Sequence, residues 1–199
     1  GVDMIEGVEG ELQNLMLRLR YASVPTVAAV QGLALGGGCE MAVYCAKRVA
    51  AMESYIGLVE VGVGLVPGAG GLTYIARRAA ENAATSTGKD ILPFLTEGFT
   101  AAAMAKVGTS ALESRKLGYL LESDVVVPHK DELLFVAIKL LIDETEHSDV
   151  TAKPNLWGAV VSIIMADAVM SLDNVLAIAA AAHGSSKLII FGIVLSVPI

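Results

Sequence analysis

Residues 25–46 put an apolar strand, a run of glycines and a helix in immediate succession, and few folds accommodate that order. Pro25-Thr26-Val27-Ala28-Ala29-Val30 is short, apolar and β-branched, which predicts a buried strand. Gln31-Gly32-Leu33-Ala34-Leu35-Gly36-Gly37-Gly38 follows. Cys39-Glu40-Met41-Ala42-Val43-Tyr44-Cys45-Ala46 then has good helix formers and no breaker. The glycines therefore sit at a strand-to-helix turn, where backbone N–H groups collect at the positive end of a helix. Such donors suit an anion, or an oxygen that becomes one during a reaction. Glu40 falls on the first turn of that helix, aimed at the same space. The plain alternative is a glycine-rich turn with a solvated Glu at a helix start.

A second feature favours chemistry. Glu60 lies twenty residues after Glu40, in Ile56-Gly57-Leu58-Val59-Glu60, and Gly64-Leu65-Val66-Pro67-Gly68-Ala69-Gly70-Gly71 follows. Two carboxylates beside two glycine turns give two candidate acid/base groups near one set of backbone donors.

Taken together, the strand, Gly36-Gly37-Gly38-Cys39-Glu40, Glu60 and Pro67-Gly68-Ala69-Gly70-Gly71 resemble the crotonase (enoyl-CoA hydratase/isomerase) superfamily. The resemblance implies an acyl-CoA thioester as substrate, in fatty-acid β-oxidation, with no separate cofactor. Gly37 would donate one of two N–H groups to the thioester oxygen, while Glu40 and Glu60 would hold water and move its proton. Val59, often Pro in hydratases, departs from the pattern but leaves Glu60 in place. The family's other oxyanion donor and much of its CoA-binding surface come from strands that would precede Gly1. The expectation is a chain that is inactive, or nearly so, as it stands. Relatives form trimers and hexamers, so a homo-oligomer is the corresponding expectation. The stretch from about 81 to 108 is longer than in simple hydratases. It resembles the crotonase module at the C-terminal end of some bifunctional 3-hydroxyacyl-CoA dehydrogenases.

The rest of residues 1–135 reads as α/β. Val8, Leu12, Leu15, Met16 and Leu19 predict an amphipathic helix over 8–22. Residues 49–55 predict a strand, 72–83, 94–106 and 110–118 predict helices, and 124–128 a short strand ended by Pro128. Residues 133–139 can close this part as a final helix, or begin the part that follows as the tail of a membrane helix leading to Leu140-Leu141-Ile142. Two other motifs fail on inspection. Around Gly88-Lys89, a phosphate loop would need Gly at 83 and Ser or Thr at 90, where Ala83 and Asp90 stand. Gly62-Val63-Gly64-Leu65-Val66-Pro67 ends in Pro where a dinucleotide turn needs Gly or Ala. A net charge of −7 gives no basic surface for nucleic acid. Cys39 and Cys45 are six apart on one expected helix, about 600° of rotation, so neither a disulfide nor a metal pair follows.

Beyond residue 140 the chain changes character. Asp143-Glu144-Thr145-Glu146-His147-Ser148-Asp149 reads as an acidic solvated linker. Residues 156–182 are apolar with few interruptions, long enough to cross a bilayer. A tight loop, His183-Gly184-Ser185-Ser186-Lys187, leads to a second apolar segment over 188–199. Ionisable groups inside such a run are functional candidates. Asp167, Ser171 and Asn174 share one helical face, and Asp173 lies off it. Met170-Ser171-Leu172-Asp173-Asn174-Val175 resembles a motif of TerC-family integral membrane proteins. That resemblance implies a membrane metal-ion transporter, with Asp167, Asp173 and Asn174 as possible ligands of a divalent metal ion.

The expected organisation is a partial crotonase-like (ββα) domain over 1–135, a junction and acidic linker over 136–155, and a membrane-type helical segment over 156–199. The first part would be cytoplasmic and the last would enter the membrane. Both ends read as cut. No physical reason links the two parts, so the expectation is a joined fragment with its junction between about 132 and 140.

Overall fold

The structure, a computed structural model, describes residues 2–147. Helix α1 (Val2–Arg20) leads to strands β1 (Val27–Val30) and β2 (Leu33–Leu35) and helix α2 (Gly37–Tyr44). Strands β3 (Lys47–Ala51) and β4 (Tyr55–Gly57) follow, then a 3-10 turn at Glu60–Val63 and helix α3 (Gly71–Thr85). Helix α4 (Leu92–Ala103), strand β5 (Val107–Gly108), helix α5 (Ala111–Lys116), strand β6 (Val125–Val127) and helix α6 (Leu133–His147) complete the described chain. This is the expected α/β order, with strand pairs each followed by a helix.

The strands divide between two small sheets. β1, β3 and β6 pair in parallel, with Val49 opposite both Ala29 and Val125. β2 and β4 pair in parallel, and the two-residue β5 closes the second sheet antiparallel to β4. At that last pairing a Cβ on Gly57 would stand 2.7 Å from the Lys106 carbonyl oxygen, so only glycine permits the approach.

Core burial explains where the elements lie. Met16 of α1, Cys39 and Val43 of α2, Ile56 of β4, and Tyr119 and Leu120 after α5 form one buried cluster. Val49, Ala51 and Val127 of the first sheet meet Leu133 and Ala137 of α6 in a second. Arg48 and Asp124 are buried beneath this sheet. Their side chains pair at 2.5 Å, and Asp124 also accepts from the backbone N–H groups of Arg48 and Leu121. A buried carboxylate of this kind needs such partners to offset its desolvation.

Several expectations change. The stretch before the glycines is not one turn. Gly32, at φ 67, breaks the strand, and Leu33–Leu35 forms a strand of its own in the second sheet. The single strand expected over 49–55 is two, belonging to different sheets. The expected acidic linker begins inside α6, which runs to His147 and pairs Glu144 with Lys47 at 3.3 Å. Among the described residues no helix is long and apolar enough to cross a membrane. The membrane-type segment over 156–199, with Asp167, Asp173 and Asn174, lies outside the described residues.

Candidate active site

The glycine turn is drawn tight by backbone. Gly36 adopts φ 55 before the first residue of α2, and its N–H donates to the Gly57 carbonyl at 2.9 Å. This contact ties the entrance of α2 to the end of β4, the strand that leads to Glu60. Gly37 opens α2, so its N–H belongs to the first helical turn, at the positive end of the helix. All eight residues of α2 are buried.

Glu40 is therefore not a solvated residue at a helix start. It is 3% exposed, and its Oε1 accepts a hydrogen bond from the Gly71 N–H at 2.7 Å. Gly71 is the first residue of α3, so the carboxylate caps a second helix at its positive end. The charge-assisted geometry is short and specific. Glycine is required here by packing. A Cβ at Gly71 would lie 3.0 Å from Glu40 Oε1 and 2.7 Å from the Pro67 side chain. The second glycine turn thus serves the first carboxylate, a link that spacing alone did not reveal.

Glu60 begins the 3-10 turn after β4. The backbone leading into it is fixed by Tyr119, whose hydroxyl accepts from the Leu58 N–H at 3.4 Å. Tyr119 is in turn backed by Tyr74, whose hydroxyl donates to the Gly118 carbonyl. Both carboxylates bear on one buried thiol. Burial pushes the Cys39 thiol well up, and the negative charges of Glu60 and then Glu40 push it further. Burial likewise raises the Tyr119 phenol, with Cys39 and Glu60 adding to it. Glu60 and Glu40 thus act electrostatically on Cys39, and Cys39 and Glu60 on Tyr119. Gly37 lies two residues before that thiol, on the same helical turn.

Among the described residues there is no cluster of three or more His, Cys, Asp or Glu side chains able to hold a metal ion. A cavity of about 80 Å³ lies between α3, α4 and residues 116–119, and Tyr74 and Tyr119 line it. A wider depression of about 640 Å³ at the end of α1 is lined by Asn14, Leu17, Arg18 and Tyr21, and none of the candidate site residues borders it. Sequence reasoning passed over Tyr44, Tyr74 and Tyr119. Their contacts reach across 26, 44 and 61 residues, and no local pattern marks them.

The family description "Enoyl-CoA hydratase/isomerase" matches residues 5–109, which include both glycine turns and both carboxylates. The chain belongs to the enoyl-CoA hydratase/isomerase family. A second description, "Integral membrane protein TerC family", matches residues 132–199. Among named relatives, the "Probable 3-hydroxyacyl-CoA dehydrogenase" of Bacillus subtilis is 37% identical over 141 residues, 68% of this chain and 17% of that protein. The fatty acid oxidation complex subunit alpha of Colwellia psychrerythraea is 53% identical over 73 residues, 35% of this chain and 10% of that one. The "Uncharacterized membrane protein YjbE" of Bacillus subtilis is 40% identical over 67 residues, 34% of this chain and 31% of that one. The chain thus spans well under two thirds of the length of these relatives. In fold it is similar to the enoyl-CoA hydratase of Bacillus anthracis, at TM-score 0.58 and 20% identity over 98% of this chain and 64% of that one. At that identity the likeness concerns the fold alone.

Proposed function

We propose that the crotonase-like part carries the acid/base half of an enoyl-CoA hydratase or isomerase site, acting on acyl-CoA thioesters of fatty-acid β-oxidation. The observation that supports this best is Glu40, buried yet held at 2.7 Å on the Gly71 N–H. During hydration the thioester oxygen gains negative charge as water adds across the 2,3 double bond. The Gly37 N–H stabilises that oxygen, and Glu40 and Glu60 orient the water and carry its proton. No cofactor is needed, since the CoA thioester is itself the substrate.

Each oxyanion donor is worth roughly 2.7–4 kcal/mol, or about 10²–10³ in rate. The test is crotonyl-CoA hydration by the chain and by its Glu40→Gln and Glu60→Gln variants. The expected result is turnover that falls about 10²-fold or more in either variant, from the lower end of the general acid/base range upward. Turnover that ignores both substitutions overturns the acid/base roles.

A second reading concerns the TerC match over residues 132–199. In it, residues 156–199 enter a membrane and Asp167, Asp173 and Asn174 ligate a divalent metal ion through oxygen. The two parts then have separate origins, joined between about 132 and 140. Sequencing the source DNA across codons 120–150 tests the junction. One uninterrupted native gene carrying complete versions of both parts would overturn it.

A further inference from the structure

We infer that Tyr44 is a positioning residue for Glu40, acting through the single peptide unit between Gly70 and Gly71. This rests on the acid/base reading of Glu40 given above. The Gly70 carbonyl and the Gly71 N–H belong to one rigid plane. The N–H end of that plane donates to Glu40 Oε1 at 2.7 Å. The carbonyl end accepts from the Tyr44 hydroxyl at 3.0 Å, and from the Tyr74 N–H of α3 at 2.9 Å. Glu40 and Tyr44 are four residues apart on α2, one above the other on the same face. One helix therefore grips both ends of a peptide that belongs to another element.

The grip has two physical consequences. Fixing the carbonyl fixes the plane, and so the direction of the N–H that holds the carboxylate. Hydrogen bonds accepted at the carbonyl also polarise the peptide and strengthen its N–H as a donor. The site is shaped for this contact. Gly70 adopts φ 141, and a Cβ there would fall 2.7 Å from the Tyr44 hydroxyl oxygen, so no other residue leaves room for the clamp. Tyr44 is itself 4% exposed, and the Arg77 guanidinium stands 6.0 Å over its ring and 5.3 Å over that of Tyr74. A cation between two aromatic faces holds both rings in place. Burial and the charge of Glu40 raise the Tyr44 phenol, which keeps it a donor throughout the neutral range.

The test compares the chain with Tyr44→Phe, which keeps the buried ring and removes the donor, and with Arg77→Gln, which removes the cation above it. Two readouts are taken. In the ¹H–¹⁵N spectrum, the Gly71 amide proton is expected upfield in Tyr44→Phe, in the same sense as in Glu40→Gln, and to exchange with solvent about tenfold faster. Arg77→Gln moves it less, in the same direction. In crotonyl-CoA hydration, kcat falls about tenfold with KM unchanged, the loss of one ordinary hydrogen bond at the catalytic group. An unchanged Gly71 amide in Tyr44→Phe overturns the positioning role, whatever the activity. A shifted amide in a chain that turns over no acyl-CoA keeps the clamp and removes the hydratase reading beneath it. A fall in kcat that leaves the Gly71 amide untouched also overturns the proposal, because Tyr44 would then act by another route.

Discussion

At the scale of single residues the site is governed by burial. Cys39 and Cys45 illustrate this: the helix expected to carry both ends at Tyr44, so Cys39 lies within α2 and Cys45 caps its end, and both are free thiols. Burial pushes the Cys45 thiol up to about 11, and its Sγ donates to the Met41 carbonyl. Cys39 is also raised well above its ordinary value, by burial and then by the charges of Glu60 and Glu40. The thiolate is the reactive form. At pH 8 the native chain should therefore react with Ellman's reagent very slowly, and denaturation should release both thiols at once. The same shifts have a stability consequence. An unfolded cysteine loses its proton near pH 8.5, whereas the folded one retains it. Stability contributed by these thiols is present below that pH and is lost as pH rises towards 11. Denaturant midpoints measured between pH 7.5 and 10.5 should fall steadily. A flat profile would mean that both thiols reach water in the native chain. Gly36, Gly37, Glu40 and Glu60 were legible in the sequence because chemistry and conformation coincide locally. A glycine run after an apolar strand needs little context, and neither does a carboxylate one turn later. Tyr44, Tyr74 and Tyr119 were not legible, because a tyrosine in an apolar stretch reads as core until its distant partner is known.

At the scale of elements, local periodicity found the helices better than the strands. α1, α3, α4 and α5 lie close to where spacing put them, because amphipathic repeats survive without knowledge of the partner. β2 and β4 are three residues each and β5 only two. A run that short carries no alternation, so only pairing defines it. What locks the first sheet is a buried polar pair rather than a strand signal. Arg48 on β3 and Asp124 before β6 are 2% and 4% exposed. The Arg48 guanidinium also reaches the Val43 carbonyl, and Arg115 donates to the Asp124 carbonyl. Removing one partner strands the other in the core. Asp124→Ala should cost about 3–5 kcal/mol, the range for an orphaned buried charge. Equilibrium urea unfolding of both chains decides it. A loss below about 1 kcal/mol would place the pair in contact with water and leave the sheet held by apolar packing alone.

At the scale of the whole molecule, α6 is where the two family matches meet. It closes the crotonase-like part by packing Leu133, Ala137 and Leu140 on the first sheet. It also lies inside the TerC match, which starts at residue 132. Its outward side carries Leu134, Phe135, Ile138 and Ile142, all more than 40% exposed and at helical spacing. One helix therefore satisfies a sheet with one face and keeps an apolar stripe on the other, directly before the apolar run over 156–182. That run contains two charged residues, Asp167 and Asp173, in 27 positions. Its aliphatic residues favour hydrocarbon, Asp167 and Asp173 oppose it, and each arginine added near its centre opposes it by about a further 2.5–3.5 kcal/mol. The full chain is therefore expected to pellet with membranes and to resist extraction by alkaline carbonate. With Met165→Arg and Val169→Arg together it should move to the supernatant, because two such penalties add to those of Asp167 and Asp173. If the unsubstituted chain is recovered without detergent, the run is covered by protein instead of lipid, and the TerC likeness records ancestry alone. If both chains stay in the pellet after carbonate, insertion does not depend on the centre of the run, and the second apolar segment over 188–199 becomes the anchor to test.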